Sequence, residues 1–351
     1  MSELPPAPSG SFVSDNAAGV SPQVMEALAA ANHGTAMAYG DDDWTRRAEH
    51  ALRDAFDAPV SSYFCWGGTG ANVVGLASVL QPWQAVLCAD SAHIVVDECG
   101  APARFTGSTI APIATADGKL TAEDISTYLQ WQGSEHHPQP AVVSITQSTE
   151  MGTLYSVDEI ATLCDAAHAA AMLVHLDGAR IANALVATGT DLATMARDTG
   201  VDLMTMGFTK NGAMFGETVV FVTQGLDAHA RFVRKQAGQL ISKSRFVAAQ
   251  VMALLDDDLW LRNAAHANRM SRSLADAVGD IAGVQIADEP QVNSVFAHLP
   301  PSAIVPLQEW SFFWEWDLSI DLVRWMTSFE TTDDDVERFA TGVGAIVAAH
   351  R

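Results

Sequence analysis

The stretch PAVVSITQSTEMGTLYSVDEIATLCDAAHAAAMLVHLDGARIANA, residues 140–184, decides how the chain folds. Its first and last apolar runs, PAVVSIT and LVHLDG, have the length and composition of strands buried on both faces. Between them Val157, Ile160, Ala161 and Cys164 recur at helical spacing, and Ser156 with Glu159 three residues on makes a capping box. Strand, crossover helix and strand is the unit of a parallel sheet. The alternation extends outward: SYFCW, GGTGANVVGLASVL and QAVLCA precede this stretch, and DLMTMG and ETVVFV follow it. Ser21-Pro22 opens a helix with Val24, Leu28 and Ala31 on one face, and a second helix runs from about Trp44 to Phe56. From about Arg231 the pattern is helical, with no strand until Val284. VQIADEP, NSVFAHLP, SFFWEW and DLVRWMTSFE then read as strands, closed by a last helix capped at Thr332 or Asp333. The fold class is α/β. A mobile leader covers 1–11, a large domain with a mostly parallel central sheet flanked by helices covers 12–250, and a smaller C-terminal α+β domain covers 251–351.

Composition narrows the function. The 351 residues are 48% hydrophobic and 17% charged, enough apolar surface for a sizeable core. Nineteen Lys and Arg against 42 Asp and Glu give a net charge of -23, which repels phosphate backbones and anionic lipid and argues against nucleic acid or membrane partners. The start, MSELPPAPSG, has neither a basic nor an apolar targeting region, so a cytoplasmic location is expected. Cys65, Cys88, Cys99 and Cys164 lack CxxC spacing and read as buried free thiols. The eleven histidines show no HxxxH or HExxH spacing, so no metal site is expected. Only Lys119, Lys210, Lys235 and Lys243 are available for chemistry that needs an amine.

Three segments carry chemistry. GGTGAN, Gly67 to Asn72, follows a strand and opens a helix, so its backbone N–H groups can cradle an anion; a tight structural turn explains it about as well. Asp177 ends the strand LVHLD at the edge where open α/β sheets place ligands. Arg180, three residues on, either forks onto a substrate carboxylate or forms a structural pair with it. Lys210 stands in FTKNGAMFGE, after another strand, where an amine partly desolvated becomes nucleophilic; a solvated lysine is the lesser alternative in a chain that nearly avoids lysine. Taken in order, anion cradle, strand-end carboxylate and loop lysine supply what pyridoxal 5'-phosphate needs: a phosphate anchor, a counter-ion for the ring nitrogen and a Schiff-base amine.

The chain resembles the low-specificity L-threonine aldolases, in the aspartate aminotransferase-like group (fold type I) of pyridoxal phosphate enzymes. The resemblance rests on FVSDNAAGVSPQVMEAL, AYGDDD, GGTGAN, DSAHIVVDECGAP, SITQSTEMGTLYS, HLDGARIANA, FTKNGAMFGE and RWMTSFETT, which span nearly the whole chain in the family's order. It implies that Lys210 carries the cofactor, Asp177 faces its ring nitrogen, and Gly68, Thr69 and Gly70 hold its phosphate. His93 would stack on the ring near the substrate hydroxyl, and His136, with His137 as its competitor, would share the handling of the β-hydroxyl proton. Ser14, Arg180 and Arg324 would clamp the substrate carboxylate. Glu98, Tyr39 and Arg245 carry less weight; Tyr39 and the segment from Arg231 to Arg245 would reach a neighbouring subunit's site, implying a homodimer or homotetramer with shared active sites. Thr209 and Asn211 stand where many relatives have Ser and Gly around the lysine, and Trp66 stands where many have Ser before the cradle. The implied reaction is retro-aldol cleavage of β-hydroxy-α-amino acids to glycine and an aldehyde. Another fold type I lyase or aminotransferase, and a non-catalytic α/β binding protein, are the alternatives. The rings of Trp310, Phe312, Phe313, Trp314 and Trp316 belong either to a bulky-aldehyde pocket or to the core.

Overall fold

The apolar runs become strands because their β-branched and small residues pack on both faces at once. In the computed structural model, which describes residues 4–350, they are β1 (Ser61–Cys65), β2 (Gln84–Ala89), β3 (Thr109–Ile113), β4 (Gln139–Thr146), β5 (Leu173–Gly178), β6 (Leu203–Gly207) and β7 (Glu217–Phe221). They form one sheet in the order β1-β7-β6-β5-β4-β2-β3. All neighbours pair in parallel except β7, which is antiparallel to both β6 and β1. Every residue of β6 and β7 is buried. β3 escaped the sequence reading for a physical reason: it is an edge strand, TIAPI, whose Pro112 and exposed Thr109 blur the apolar pattern.

Residues 20–209 and 213–259 make up one compact unit, which holds this sheet. Its helices start where local chemistry places them. Ser156 and Glu159 do form the capping box of the helix Val157–Ala169. The helix Pro22–Ala31 begins with Pro in its first turn, although the Ser21 hydroxyl makes no capping bond. The second helix runs Asp43–Phe56 and takes its cap from Asp42. Cys65, Cys88 and Cys164 are buried and their thiols pushed up to about 12 by desolvation, so they are not nucleophiles at neutral pH; Cys99, expected to be buried, is exposed.

The other unit contains the C-terminal residues from Trp260, the N-terminal residues to Gly19, and Lys210–Gly212. Its sheet is antiparallel, in the order β10-β11-β9-β8, with β8 (Gln285–Ile286), β9 (Ser294–His298), β10 (Trp314–Asp317) and β11 (Leu322–Met326). The final helix, Asp333–Ala349, is capped by Thr332 and Asp335 in a second capping box. Residues 12–19 were expected with the large domain. Instead Phe12, fully buried, packs on Phe339 in this unit's core, and its carbonyl accepts the Met326 N–H at 2.9 Å. Residues 4–11 of the expected leader are also tied down: Trp310 Nε1 donates to the Pro5 carbonyl, and Asp335 accepts from Ser9 and Gly10. The aromatic cluster divides. Phe313 and Trp310 belong to the core, Trp316 lies half-buried under the Arg324 guanidinium, and Phe312 and Trp314 are exposed. Among the described residues no helix is long and apolar enough to cross a membrane.

The ends of β5 and β6 come together closely. A Cβ on Gly178 would lie 2.6 Å from the Thr205 carbonyl oxygen, and one on Gly207 would overlap the carbonyl of Ala179. Gly207→Ala must therefore push backbone against backbone where Asp177 is held. It is expected to cost about 1–3 kcal/mol, read as a lower urea midpoint, whereas Gly279→Ala, with open space at its Cβ, serves as the control that leaves the midpoint nearly unmoved.

Candidate active site

The sheet delivers its polar side chains at one edge. Thr146 at the end of β4 pairs with Asp177, and Asp177 pairs with Thr205 on β6. Parallel strands thus bring three polar positions into register at their C-terminal ends, where the loops leave for the site. Asp177 is 4% exposed, so its carboxylate needs donors, and it has them: Oδ1 accepts from the Ala179 N–H at 3.0 Å and Oδ2 from Asn72 Nδ2 at 2.8 Å.

Asn72 lies on the helix Gly68–Val79, which starts after β1. The first main-chain bond of this helix is Ala71 N–H to Gly67 carbonyl, so the N–H groups of Gly67, Gly68, Thr69 and Gly70 have no carbonyl within the helix. Gly67 caps it without a side chain, and the space that a Cβ would occupy at Gly67 and Gly68 is open. An anionic phosphate fits there, held by main-chain donors and the positive end of the helix dipole. A Cβ on Gly70 would meet the Gln239 side-chain amide, which would have to move aside; Gln239 Oε1 also accepts the Trp66 N–H at 3.0 Å. Nothing in the spacing of the cradle pointed to Gln239, which lies far along the chain.

His93 begins the short helix His93–Val96 after β2 and is held from two sides. Its ring Nδ1 meets Glu98 Oε1 at 3.0 Å, and its backbone N–H donates to Glu150 Oε1 at 2.8 Å. Glu98 is 4% exposed and also accepts from Asn72 Nδ2 at 2.8 Å, so it is drawn into the site more firmly than its low sequence weight implied. Glu150, which sequence reasoning missed, also accepts from Thr146 Oγ1 at 3.0 Å, and burial raises the pKa of its carboxyl, with the Asp177 charge adding to the rise. The available signal was its place just past the end of β4, in the otherwise neutral loop QSTEMG. His175, wholly buried two residues before Asp177, meets Ser144 Oγ at 2.9 Å and Thr205 Oγ1 at 3.4 Å. Desolvation pushes it well below its ordinary value, against the pull of Asp177.

His136 is a correction. It and His137 are exposed and precede the first residue of β4, whereas the site lies past the last, eight residues along a parallel strand. At about 3.3 Å per residue that is the opposite edge of the sheet, too far for proton transfer. His137 stacks on Trp131, ring centroids 5.5 Å apart, and is structural. The family resemblance pointed to His136, and the direction of β4 puts it at the other end of that strand.

Lys210 follows β6 in the turn Thr209–Asn211 and is half-buried. The turn's approach is fixed by Glu217, which accepts from the Phe208 N–H at 2.9 Å and the Thr209 N–H at 3.3 Å. Arg180 stands at the start of the helix Ile181–Thr188, directly after β5. In the C-terminal unit, Arg324 lies on β11 with its guanidinium 4.6 Å from the Trp316 ring, and Ser14 Oγ accepts the Asn16 N–H at 3.2 Å. Tyr39 and Arg245 belong to the sheet unit: the Tyr39 N–H donates to the Ser242 carbonyl, its ring lies 5.2 Å from Lys235 Nζ, and Arg245 donates to the Gly34 carbonyl.

The profile of the beta-eliminating lyase family matches residues 11–301. A low specificity L-threonine aldolase of Pseudomonas aeruginosa is 38% identical over 96% of this chain and 98% of its own length. The corresponding protein of Saccharomyces cerevisiae is 25% identical over 81% of this chain and 72% of its own. Among solved structures, a threonine aldolase of Leishmania major superposes with a TM-score of 0.89 at 30% identity, covering 96% of this chain and 99% of that one. An aspartate aminotransferase of Rhizobium meliloti shares the fold, with a TM-score of 0.71 at 14% identity over 98% of this chain and 92% of that one.

The buried His175 carries a pH signature. The unfolded chain protonates this histidine below about pH 6.5 while the folded protein keeps it neutral, so its contribution to stability is full above that value and is lost as pH falls. In His175→Asn the urea midpoint should therefore drop less between about pH 7 and about pH 5 than in the wild type; equal drops would mean that His175 is not held neutral.

Proposed function

The chain belongs to the beta-eliminating lyase family, in its threonine aldolase group, and from that premise we propose that it cleaves the Cα–Cβ bond of β-hydroxy-α-amino acids, L-threonine and L-allo-threonine foremost, to glycine and an aldehyde. It is a lyase of the pyridoxal 5'-phosphate-dependent fold type I class. The observation that carries the reading is the single hydrogen-bonded run from the strand-end carboxylate to a histidine, Asp177–Asn72–Glu98–His93, beside an open glycine cradle.

Pyridoxal 5'-phosphate supplies the electron sink for the pair released as the bond breaks. The residues divide the remaining work. The N–H groups of Gly68, Thr69 and Gly70 bind the phosphate. The Asp177 carboxylate would face the ring nitrogen, its position set by the Ala179 N–H and the Asn72 amide that donate to it. Lys210 would supply the amine that holds the cofactor. Arg180 and Arg324, with Ser14, orient the substrate carboxylate, which fixes which bond at Cα breaks. His93 takes the β-hydroxyl proton. Because the Glu98 carboxylate accepts at Nδ1, that nitrogen carries the hydrogen and Nε2 is the basic atom.

The protein works as a homodimer or homotetramer in the cytoplasm, with shared active sites. Support comes from the exposure of Tyr39 and Phe232, large apolar side chains on the two segments expected to meet a neighbour.

Two experiments test the reading. Lys210→Ala should lose both the visible chromophore and acetaldehyde release from threonine while keeping its circular dichroism in the far ultraviolet; pyruvate or another keto acid in place of acetaldehyde from the wild type would contradict the aldolase assignment. Arg180→Lys and Arg324→Lys should each raise the KM for threonine about tenfold or more, because a point charge does not reproduce the bidentate fork.

A further inference from the structure

Asn72 is the fifth residue of the helix Gly68–Val79 and is 1% exposed. Its side-chain amide is fully used. Oδ1 accepts from the Thr205 hydroxyl at 2.7 Å, and the two Nδ2 hydrogens go to two different buried carboxylates, Glu98 Oε1 and Asp177 Oδ2, each at 2.8 Å. Since carboxylates and the amide oxygen are all acceptors, only one orientation of the amide works, and the Thr205 hydroxyl fixes it. Thr205 is itself backed by His175 at 3.4 Å, and His175 by Ser144 at 2.9 Å. The groups around the amide thus come from three separate parts of the chain: Thr205 from β6, His175 and Asp177 from β5, and Glu98 with His93 from the segment after β2. Glu150, past the end of β4, holds the His93 backbone.

We propose that Asn72 is a positioning residue that ties the Asp177 carboxylate and the Glu98–His93 pair into one hydrogen-bonded unit, so that the cofactor's counter-ion and the proton-accepting histidine are set in place together. The inference rests on the proposed aldolase reading for the roles of Asp177 and His93. The residue type follows from the geometry. A leucine of similar size offers no donor and leaves two buried carboxylate oxygens short of one bond each; an aspartate would add a third negative charge; a glutamine is one methylene too long for a space closed on three sides. Asn72 touches neither substrate nor cofactor in this role. It acts through the groups it holds, and Thr205 acts through Asn72.

The test uses the holoenzyme as wild type, Asn72→Leu, Thr205→Val, Glu98→Gln and the double variant Asn72→Leu/Glu98→Gln. Three quantities are read: the visible circular dichroism of the cofactor per mole bound, kcat and KM for threonine by aldehyde release, and the melting temperature. In Asn72→Leu the visible dichroism should weaken and kcat fall about tenfold or more, with KM within about twofold. Thr205→Val, which removes only the hydroxyl that orients the amide, should move both in the same direction by less, and it carries the test if Asn72→Leu does not fold. The double variant should lose less than the product of its two single losses, because both act on one unit. Unchanged dichroism and kcat in Thr205→Val, a loss confined to the melting temperature, or strictly multiplicative losses would overturn the proposal. A wild type with no visible band contradicts the aldolase reading itself; a wild-type band that the variants reproduce contradicts only the role of Asn72.

Discussion

A carboxylate buried at the end of a parallel strand is unstable unless something donates to it, and the site is organised around meeting that need at Asp177. One donor is the main-chain N–H of Ala179 and the other is the Asn72 amide. β5 and β6 approach closely at Gly178 and Gly207, and the Thr205 hydroxyl on β6 donates to the amide that serves Asp177. Helix Gly68–Val79 then does two jobs. Its first turn leaves main-chain N–H groups for an anion, and its fifth residue supplies the amide. One rigid element therefore fixes the separation between a set of anion-ready main-chain N–H groups and the amide that holds Asp177, which is what the proposed binding of a cofactor by both ends demands.

The strong chemical signals were legible in the residues. Consecutive glycines before an apolar helix, an aspartate closing an apolar run and a lysine in a lysine-poor chain each have few physical explanations, and together they have fewer. The sheet was legible for the same reason: strands buried on both faces read as near-continuous apolar runs, so VVSIT, LVHLD and LMTMG stand out even though each carries one mid-strand polar residue, Ser144, His175 and Thr205, which bond to one another.

What escaped the sequence depends on contacts between distant segments. Asn72 reads as one more helical residue until Glu98 and Asp177 are seen around it, and Glu150 as a loop carboxylate until the His93 N–H is found on it. That Gln239 lies against Gly70 shows only in three dimensions. His136, which the family resemblance implied, failed because the direction and register of β4 put it at the opposite end of that strand from Thr146 and Asp177. The N-terminal residues failed because Pro, Ser and Gly enrichment reports low intrinsic order, while the order here comes from partners elsewhere, Asp335 for Ser9 and Gly10 and the aromatic core for Phe12.

The central claim is that one amine among four lysines, that of Lys210, holds the cofactor. Reducing the holoenzyme with borohydride and mapping the modified peptide by mass spectrometry tests it most directly. The label should fall on Lys210 alone; a label on Lys119, Lys235 or Lys243, or none at all, would contradict the assignment.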